Sequence, residues 1–339
     1  MSSNSDRTGV LAIIGAGSWG TALSIALAPR FERINLWVHE ASLADDMRRS
    51  HENAIFLPGF HLPGNVHPTS DLEESLDGPI YVLGVMPSHH ARRVYGHMLE
   101  YLNPYMRFVS ATQGIENGTL SRMSQVVREV VSRRFEPHVA VLSGPTFAKE
   151  IARGEPAAVV IASEEAALAA EIQAAFSGPA FRLYTNNDPI GVELGAALKN
   201  VIAIAAGVCH GLHLGSNTMA ALITRGLAEI SRLTIALGGQ SRTLAGLAGL
   251  GDLVLTCTGD LSRNRRVGLE LAAGHTLADI LDSTAMVAEG VETTKAALDL
   301  AHRESIEMPI IEQMHAILYQ GKPPRDALRD LMERSLKPE

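Results

Sequence analysis

The sequence predicts an α/β domain built on a doubly wound parallel sheet over residues 1–188, followed by an all-α domain over residues 189–339. Three observations carry this reading. Short unbroken apolar runs alternate with helical patterns in the first half of the chain. A glycine-rich turn falls between the first such run and the first helical pattern. After residue 188 the strand signals cease and only helical periods remain. The chain has 339 residues, enough for two cores. At 46% hydrophobic and 19% charged it is globular rather than disordered.

Taken in order, the apolar runs at 10–14, 34–38, 80–85, 108–111 and 139–142 read as strands. They are continuous rather than alternating, as expected of strands buried on both faces. Helix-like segments at 20–29, 90–102 and 119–132 lie between several of them, which implies βαβ units with right-handed crossovers. Runs at 157–162 and 181–184 extend the sheet around a helix at 164–176. Asn186, Asn187, Asp188 and Pro189 then gather turn formers and a helix start, and the domain boundary is placed there. Beyond it, helical periods cover 190–209, 217–237, 267–273, 291–303 and 309–320, with Gly238, Gly239 and Gly321 as stops. No internal repeat or low-complexity tract interrupts the chain.

The net charge of −8, with no long basic run to offset it, argues against a nucleic-acid partner. The arginines at 263–266 are too few to track a phosphate backbone and suit one small phosphate. Two cysteines, Cys209 and Cys257, form no CxxC pair, so a reduced, cytoplasmic setting is expected. The first residues are polar and show no cleavage site, so no secretory peptide is expected. No membrane span is expected either, because Lys199 interrupts the best candidate, 194–208.

The chemistry starts at Gly15, Gly17 and Gly20, which follow a predicted strand and open a predicted helix. That is the context of a dinucleotide cradle in a Rossmann-like domain. The first glycine permits the tight turn, the second lets backbone approach a pyrophosphate, and the third lets helix and strand pack closely. The helix N-terminus adds free N–H groups and a positive dipole end. A glycine turn without a ligand is the competing reading. The second strand ends at His39 and Glu40: His39 could pair with a 2′-phosphate and Glu40 could bond a ribose hydroxyl, so NADPH and NADH both remain open.

On the substrate side, Gly191, Gly195 and Lys199 share one helix face. Two glycines beside a lysine leave room for something to approach, and an amine in apolar surroundings suits proton transfer. Alternatively the lysine snorkels to the surface, or the glycine face merely packs a helix. Asp252 could partner Lys199 or cap a helix. Arg263 and Asn264 offer a planar fork and an amide to phosphate oxygens, against the competing reading of a solvated surface loop. His89 and His90, and the Cys209, His210 and His213 group, are read as structural, and no metal site is expected. There is no GxSxG elbow and no Walker A motif.

Seven ordered stretches resemble the bacterial NAD(P)-dependent glycerol-3-phosphate dehydrogenases. They are Gly-Ala-Gly-Ser-Trp-Gly-Thr-Ala (15–22), Ser-Ala-Thr-Gln-Gly-Ile-Glu (110–116), Leu-Ser-Gly-Pro-Thr-Phe-Ala-Lys-Glu (142–150), Gly-Val-Glu-Leu-Gly-Ala-Ala-Leu-Lys-Asn (191–200), Gly-Leu-Gly-Asp-Leu (249–253), Leu-Ser-Arg-Asn-Arg-Arg (261–266) and Val-Ala-Glu-Gly-Val (287–291). The resemblance implies cofactor contacts at Ser18, Trp19, His39, Ala148, Arg263, Val287 and Glu289. It implies substrate contacts at Gly144, Thr146, Asp252, Ser262, Arg263 and Asn264. Lys199 would donate a proton to dihydroxyacetone phosphate in reduction and accept it in oxidation. The product, sn-glycerol 3-phosphate, would serve phospholipid synthesis, and a homodimer is implied. The chain departs from the family at Gln113, where the family usually has lysine, and at His210, where it usually has aspartate. Rival readings are a β-hydroxyacid or ketopantoate-type reductase, which would not need the arginine patch, and a nucleotide sensor without chemistry.

Overall fold

The computed structural model describes residues 7–282 and 288–336. One sheet of eight strands forms the first domain: β1 (Thr8–Ile14), β2 (Phe31–Trp37), β3 (Val66–Thr69), β4 (Pro79–Gly84), β5 (Arg107–Ser110), β6 (His138–Ser143), β7 (Ala157–Ala162) and β8 (Phe181–Asn186). Their spatial order is β3-β2-β1-β4-β5-β6-β7-β8. Leu11 to Ile14 of β1 are wholly buried, as an unbroken apolar run in a central strand requires. The order reverses between β1 and β4, and in such sheets a ligand crevice opens at that reversal, beyond the carboxyl ends of the strands.

Two features correct the sequence expectation. The sheet is not wholly parallel, because β6 and β7 pair antiparallel. A continuous apolar run reports burial on both faces and carries no information on direction. The edge strand β3 was also unforeseen, since Pro68 weakens its signal, and an edge is where a proline is tolerated.

The predicted helices are present with shifted ends. The segment 90–102 is a helix only at Ala91–Met98, between the short 3₁₀ turns Ser88–His90 and Leu99–Tyr101. Ala41–Ser50, Ala148–Ala152 and Pro324–Met332 are further helices that the sequence reading did not mark.

The sheet ends at Asn186, and the helical C-terminal part of the chain opens with the helix Pro189–Gly211. Asp188 caps it, accepting from the Gly191 N–H at 2.9 Å, and also holds Gln240 N and Thr243 Oγ1 at 2.8 and 2.7 Å. Every residue from Gly191 to Val208 is buried. The reason for expecting no membrane span does not hold, because by length and composition this helix could cross a membrane and Lys199 does not disqualify it. Its apolar surface is instead covered by protein, with 94% of its most apolar window buried. Ser216–Ala236, Arg263–Ala272, Glu289–Arg303 and Pro309–Gln320 pack around it. Val192 reaches back to Val141, Val160 and Ala162 of the sheet, so the helix joins both cores.

Candidate active site

The glycine turn has the geometry its sequence requires. Gly15 adopts φ of +121°, and a β-carbon there would meet the Val85 backbone at 2.9 Å. A β-carbon on Gly20 would lie 1.9 Å from the Gly15 carbonyl oxygen, so the helix Ser18–Leu27 can approach β1 only with glycine there. Gly17 is different: no atom lies within 4 Å of its absent β-carbon. It is the N-cap residue and offers no side-chain acceptor, so the first N–H groups of the helix face an open cavity. That cavity, of about 340 Å³, is lined by Gly15, Gly17, Ser18, Trp19, His39, Glu40, Gln113, Arg263 and Glu289. Ser18 also donates to the Phe56 carbonyl at 2.7 Å, which ties the 51–65 loop over the turn. Uncapped N–H groups, bare backbone and an adjoining cleft fit a dinucleotide.

A second cavity of about 360 Å³ shares Ser18, Trp19, Phe56, Gln113, Arg263 and Glu289 with the first. Its wall carries Thr146, Ala148, Lys199, Asn200, Asp252, Ser262 and Asn264. Lys199 and Asp252 form an ion pair, 4% and 2% exposed. Burial pushes the Asp252 carboxyl above its ordinary range, and the Lys199 ammonium opposes that push. Thr256 Oγ1 donates to the Asp252 backbone carbonyl at 2.6 Å. The glycine face has the packing explanation: a β-carbon on Gly195 would lie 2.7 Å from the Ala248 carbonyl oxygen. Backbone approaches there rather than a ligand. Four residues further along each segment, Lys199 meets Asp252, so the close glycine crossing sets the register of the pair.

Ser262 caps the ten-residue helix Arg263–Ala272 and accepts from Arg265 N at 3.2 Å. Asn264 is locked at both ends: its Nδ2 donates to Asn200 Oδ1 at 3.0 Å and its Oδ1 accepts from Gly290 N at 2.9 Å. Arg263 faces the cavity, with no hydrogen bond among the described residues. Protein surrounds it closely enough for desolvation to lower its pKa, against the attraction of Glu289. Glu289 accepts from Ser88 N at 3.0 Å and Ser88 Oγ at 2.6 Å, and burial raises its pKa.

Most of the expected site residues therefore converge. Gly144 does not reach the cavity wall. It adopts φ of +151° beside Val159 and makes the turn whose carbonyl accepts from Thr146 Oγ1 at 3.1 Å. Val287 lies outside the described residues. His210 is remote from the cavity and contacts Arg265. No group of three or more His, Cys, Asp or Glu side chains placed to hold a metal ion occurs among the described residues. Sequence reasoning missed Ser88, Asn200 and Lys149, and it read His90 as structural although His90 lines the cofactor cavity. Only Asn200 carried a signal, as the neighbour of Lys199.

A dinucleotide crevice that opens onto a buried lysine–aspartate pair in a helical domain defines a two-domain NAD(P)-dependent oxidoreductase. The chain belongs to the NAD-dependent glycerol-3-phosphate dehydrogenase family, whose N-terminal model matches residues 10–169 and whose C-terminal model matches residues 188–329. A glycerol-3-phosphate dehydrogenase [NAD(P)+] from Koribacter versatilis is 56% identical, covering 96% of this chain and 97% of its own. The crystal structure of glycerol-3-phosphate dehydrogenase from Coxiella burnetii has a TM-score of 0.92 at 39% identity, covering 97% of this chain and 99% of that one. A ketopantoate reductase from Ralstonia eutropha shares the fold alone, with a TM-score of 0.58 at 16% identity over 95% of this chain and 100% of that one.

Proposed function

We infer that the chain catalyses reversible hydride transfer between NAD(P)H and dihydroxyacetone phosphate, giving sn-glycerol 3-phosphate for phospholipid synthesis. The observation that carries this reading is the pair of adjoining cavities, with shared walls at Ser18, Trp19, Gln113, Arg263 and Glu289, that brings together the glycine turn, the Lys199–Asp252 pair and the N-terminus of the helix Arg263–Ala272.

The bound nicotinamide would supply the hydride to the ketone carbon. The protein does the rest. Ser262 uses an acceptor lone pair on Arg265 N, so its hydroxyl proton remains available to a phosphate oxygen. The Arg263 guanidinium and the first N–H groups of its helix hold the same anion. Asn264, fixed by Asn200 and Gly290, presents its remaining amide hydrogen in one orientation. Lys199 stabilises and protonates the alkoxide that forms on hydride arrival, and accepts that proton in the reverse direction. Asp252 pairs with Lys199 and aims it, in a wall too dry to solvate either group.

Both cysteines are free, which supports a reducing cytoplasmic setting, and a homodimer belongs to the same reading. The test is oxidation of NADPH and NADH by the purified chain with dihydroxyacetone phosphate, ketopantoate, or no ketone. Oxidation with the phosphorylated ketone alone is the expected result. Turnover of ketopantoate, or of neither ketone, would overturn the assignment.

A further inference from the structure

Three basic side chains meet at one end of the cofactor cavity without counter-ions. His39 follows β2. His90 ends the 3₁₀ turn after β4, and Arg93 lies in the first turn of the helix Ala91–Met98. The strands β2 and β4 flank β1 on opposite sides, so these residues reach the cavity from both sides of the glycine turn. Among the described residues, none of the three side chains makes a hydrogen bond or ion pair. The contrast with Arg92 is direct: its guanidinium is held by Glu116 at 2.7 Å and Glu129 at 2.6 Å, facing away. Arg93, His39 and His89 all lie close enough to His90 to disfavour its protonated form, with burial as the larger cause. The carboxylate on this part of the wall is Glu40, and Glu289 at the other end is occupied by Ser88.

Gathering unpaired basic groups disfavours their charged forms in the free protein, and an anion of high charge among them reverses that. In this fold the adenosine ribose sits beyond the end of the second strand, where the 2′-substituent is read. A neutral hydroxyl there needs one acceptor, which Glu40 supplies. A phosphate dianion needs donors and positive charge. We propose that His90 and Arg93 join His39 in a site for the 2′-phosphate of NADP(H), and that they set the preference of this chain for NADPH over NADH. The proposal rests on the dinucleotide-binding reading above, and the side chains from β4 are its new element. Arg93 supplies the permanent charge, and the two imidazoles add donors whose charge the incoming phosphate itself favours.

NADPH and NADH differ at the 2′-position alone, so calorimetric titration of the full chain with each isolates this site without turnover. Arg93→Ala and His90→Ala are each expected to weaken NADPH binding roughly tenfold, the worth of one hydrogen bond to a charged group. NADH affinity should stay unchanged, and the NADPH loss should shrink with added salt. Arg93→Lys, which keeps the charge, should recover part of it. Equal weakening toward both cofactors, or none, would overturn the proposal while leaving the dinucleotide reading intact. A wild-type chain that bound neither nucleotide would overturn both.

Discussion

Lys199 and Asp252 satisfy each other before any substrate arrives, and at the scale of single residues this pairing decides what each can do. Each side chain of the pair is held by the other in a wall that offers it little water, so the Lys199 amine is aimed from a fixed place. Lys199→Met is expected to lower kcat by about 10²–10⁴-fold, the usual worth of a positioned acid–base group. NADPH affinity measured by titration should not change, because the cradle lies in the other domain. Near-normal turnover would make Lys199 a packing residue. Gln113 is the opposite case, a neutral amide at a position shared by both cavities. Arg263, Arg266 and Lys149 still line the substrate cavity, so activity is expected without a cation at 113. Gln113→Lys should lower KM for dihydroxyacetone phosphate at low ionic strength, and the gain should fade as salt screens the open cleft. An unchanged KM at low salt would show that the neighbouring cations already supply the attraction.

At the scale of elements, what matters is how closely two backbones approach. The crossing of the helix Pro189–Gly211 with the segment at Ala248 leaves no space for a β-carbon at Gly195. Gly195→Ala should cost about 1–3 kcal/mol of stability by overpacking. It should also lower kcat with NADPH affinity intact, since Lys199 and Asp252 sit four residues beyond the crossing. Stability loss without a kcat effect would show that the pair does not depend on that register. A second element contact titrates. Glu229 of Ser216–Ala236 accepts from Ile310 N at 2.8 Å, at the start of Pro309–Gln320. Burial pushes its carboxyl from 4.5 to about 7. The folded chain therefore holds a proton that the unfolded chain releases near pH 4.5. Stability from this group is full below pH 4.5 and is lost as pH rises toward about 7. Glu229→Gln, which keeps the acceptor and removes the charge, should gain stability over wild type across that window and hold the gain above it. Denaturant midpoints at several pH values would show a constant difference if Glu229 did not titrate there. These contacts also mark the limit of the sequence. The cradle was legible because Gly15, Gly17 and Gly20 are local signals with local causes. The Gly191 and Gly195 face was legible as a close approach, and what approached it lies some fifty residues away in sequence, at Ala248. Ser88 gave no signal, because its role arises only when the turn after β4 is brought to Glu289.

At the scale of the whole molecule, catalysis needs a cofactor held by the sheet domain and a proton donor held by the helical domain to stay in register. The fold meets this need with buried carboxylates on the helical side that accept from the sheet side. Glu289 takes both the N–H and the hydroxyl of Ser88. Glu193, on the same helix as Lys199 and 5% exposed, accepts from Ser124 N at 2.7 Å and Ser124 Oγ at 2.6 Å, and pairs with Arg122. It thereby holds the start of the helix Met123–Val131 against the second domain. Val192 beside it packs on the sheet, so polar and apolar contacts coincide at this junction. Glu193→Ala leaves the buried Ser124 N–H without a partner and leaves Arg122 with only Ser124 Oγ. Breaking a buried pair costs about 3–5 kcal/mol, and the lower end applies because Arg122 retains some access to water. The loss falls on the junction rather than on either core. The wild-type chain is expected to unfold in one calorimetric transition, and the variant in two, with the domains uncoupled. Its KM for both substrates should rise more than its kcat falls, since each half-site is intact and their alignment is not. A single transition at lower temperature, with unchanged kinetics, would show that Glu193 stabilises the fold without coupling its halves.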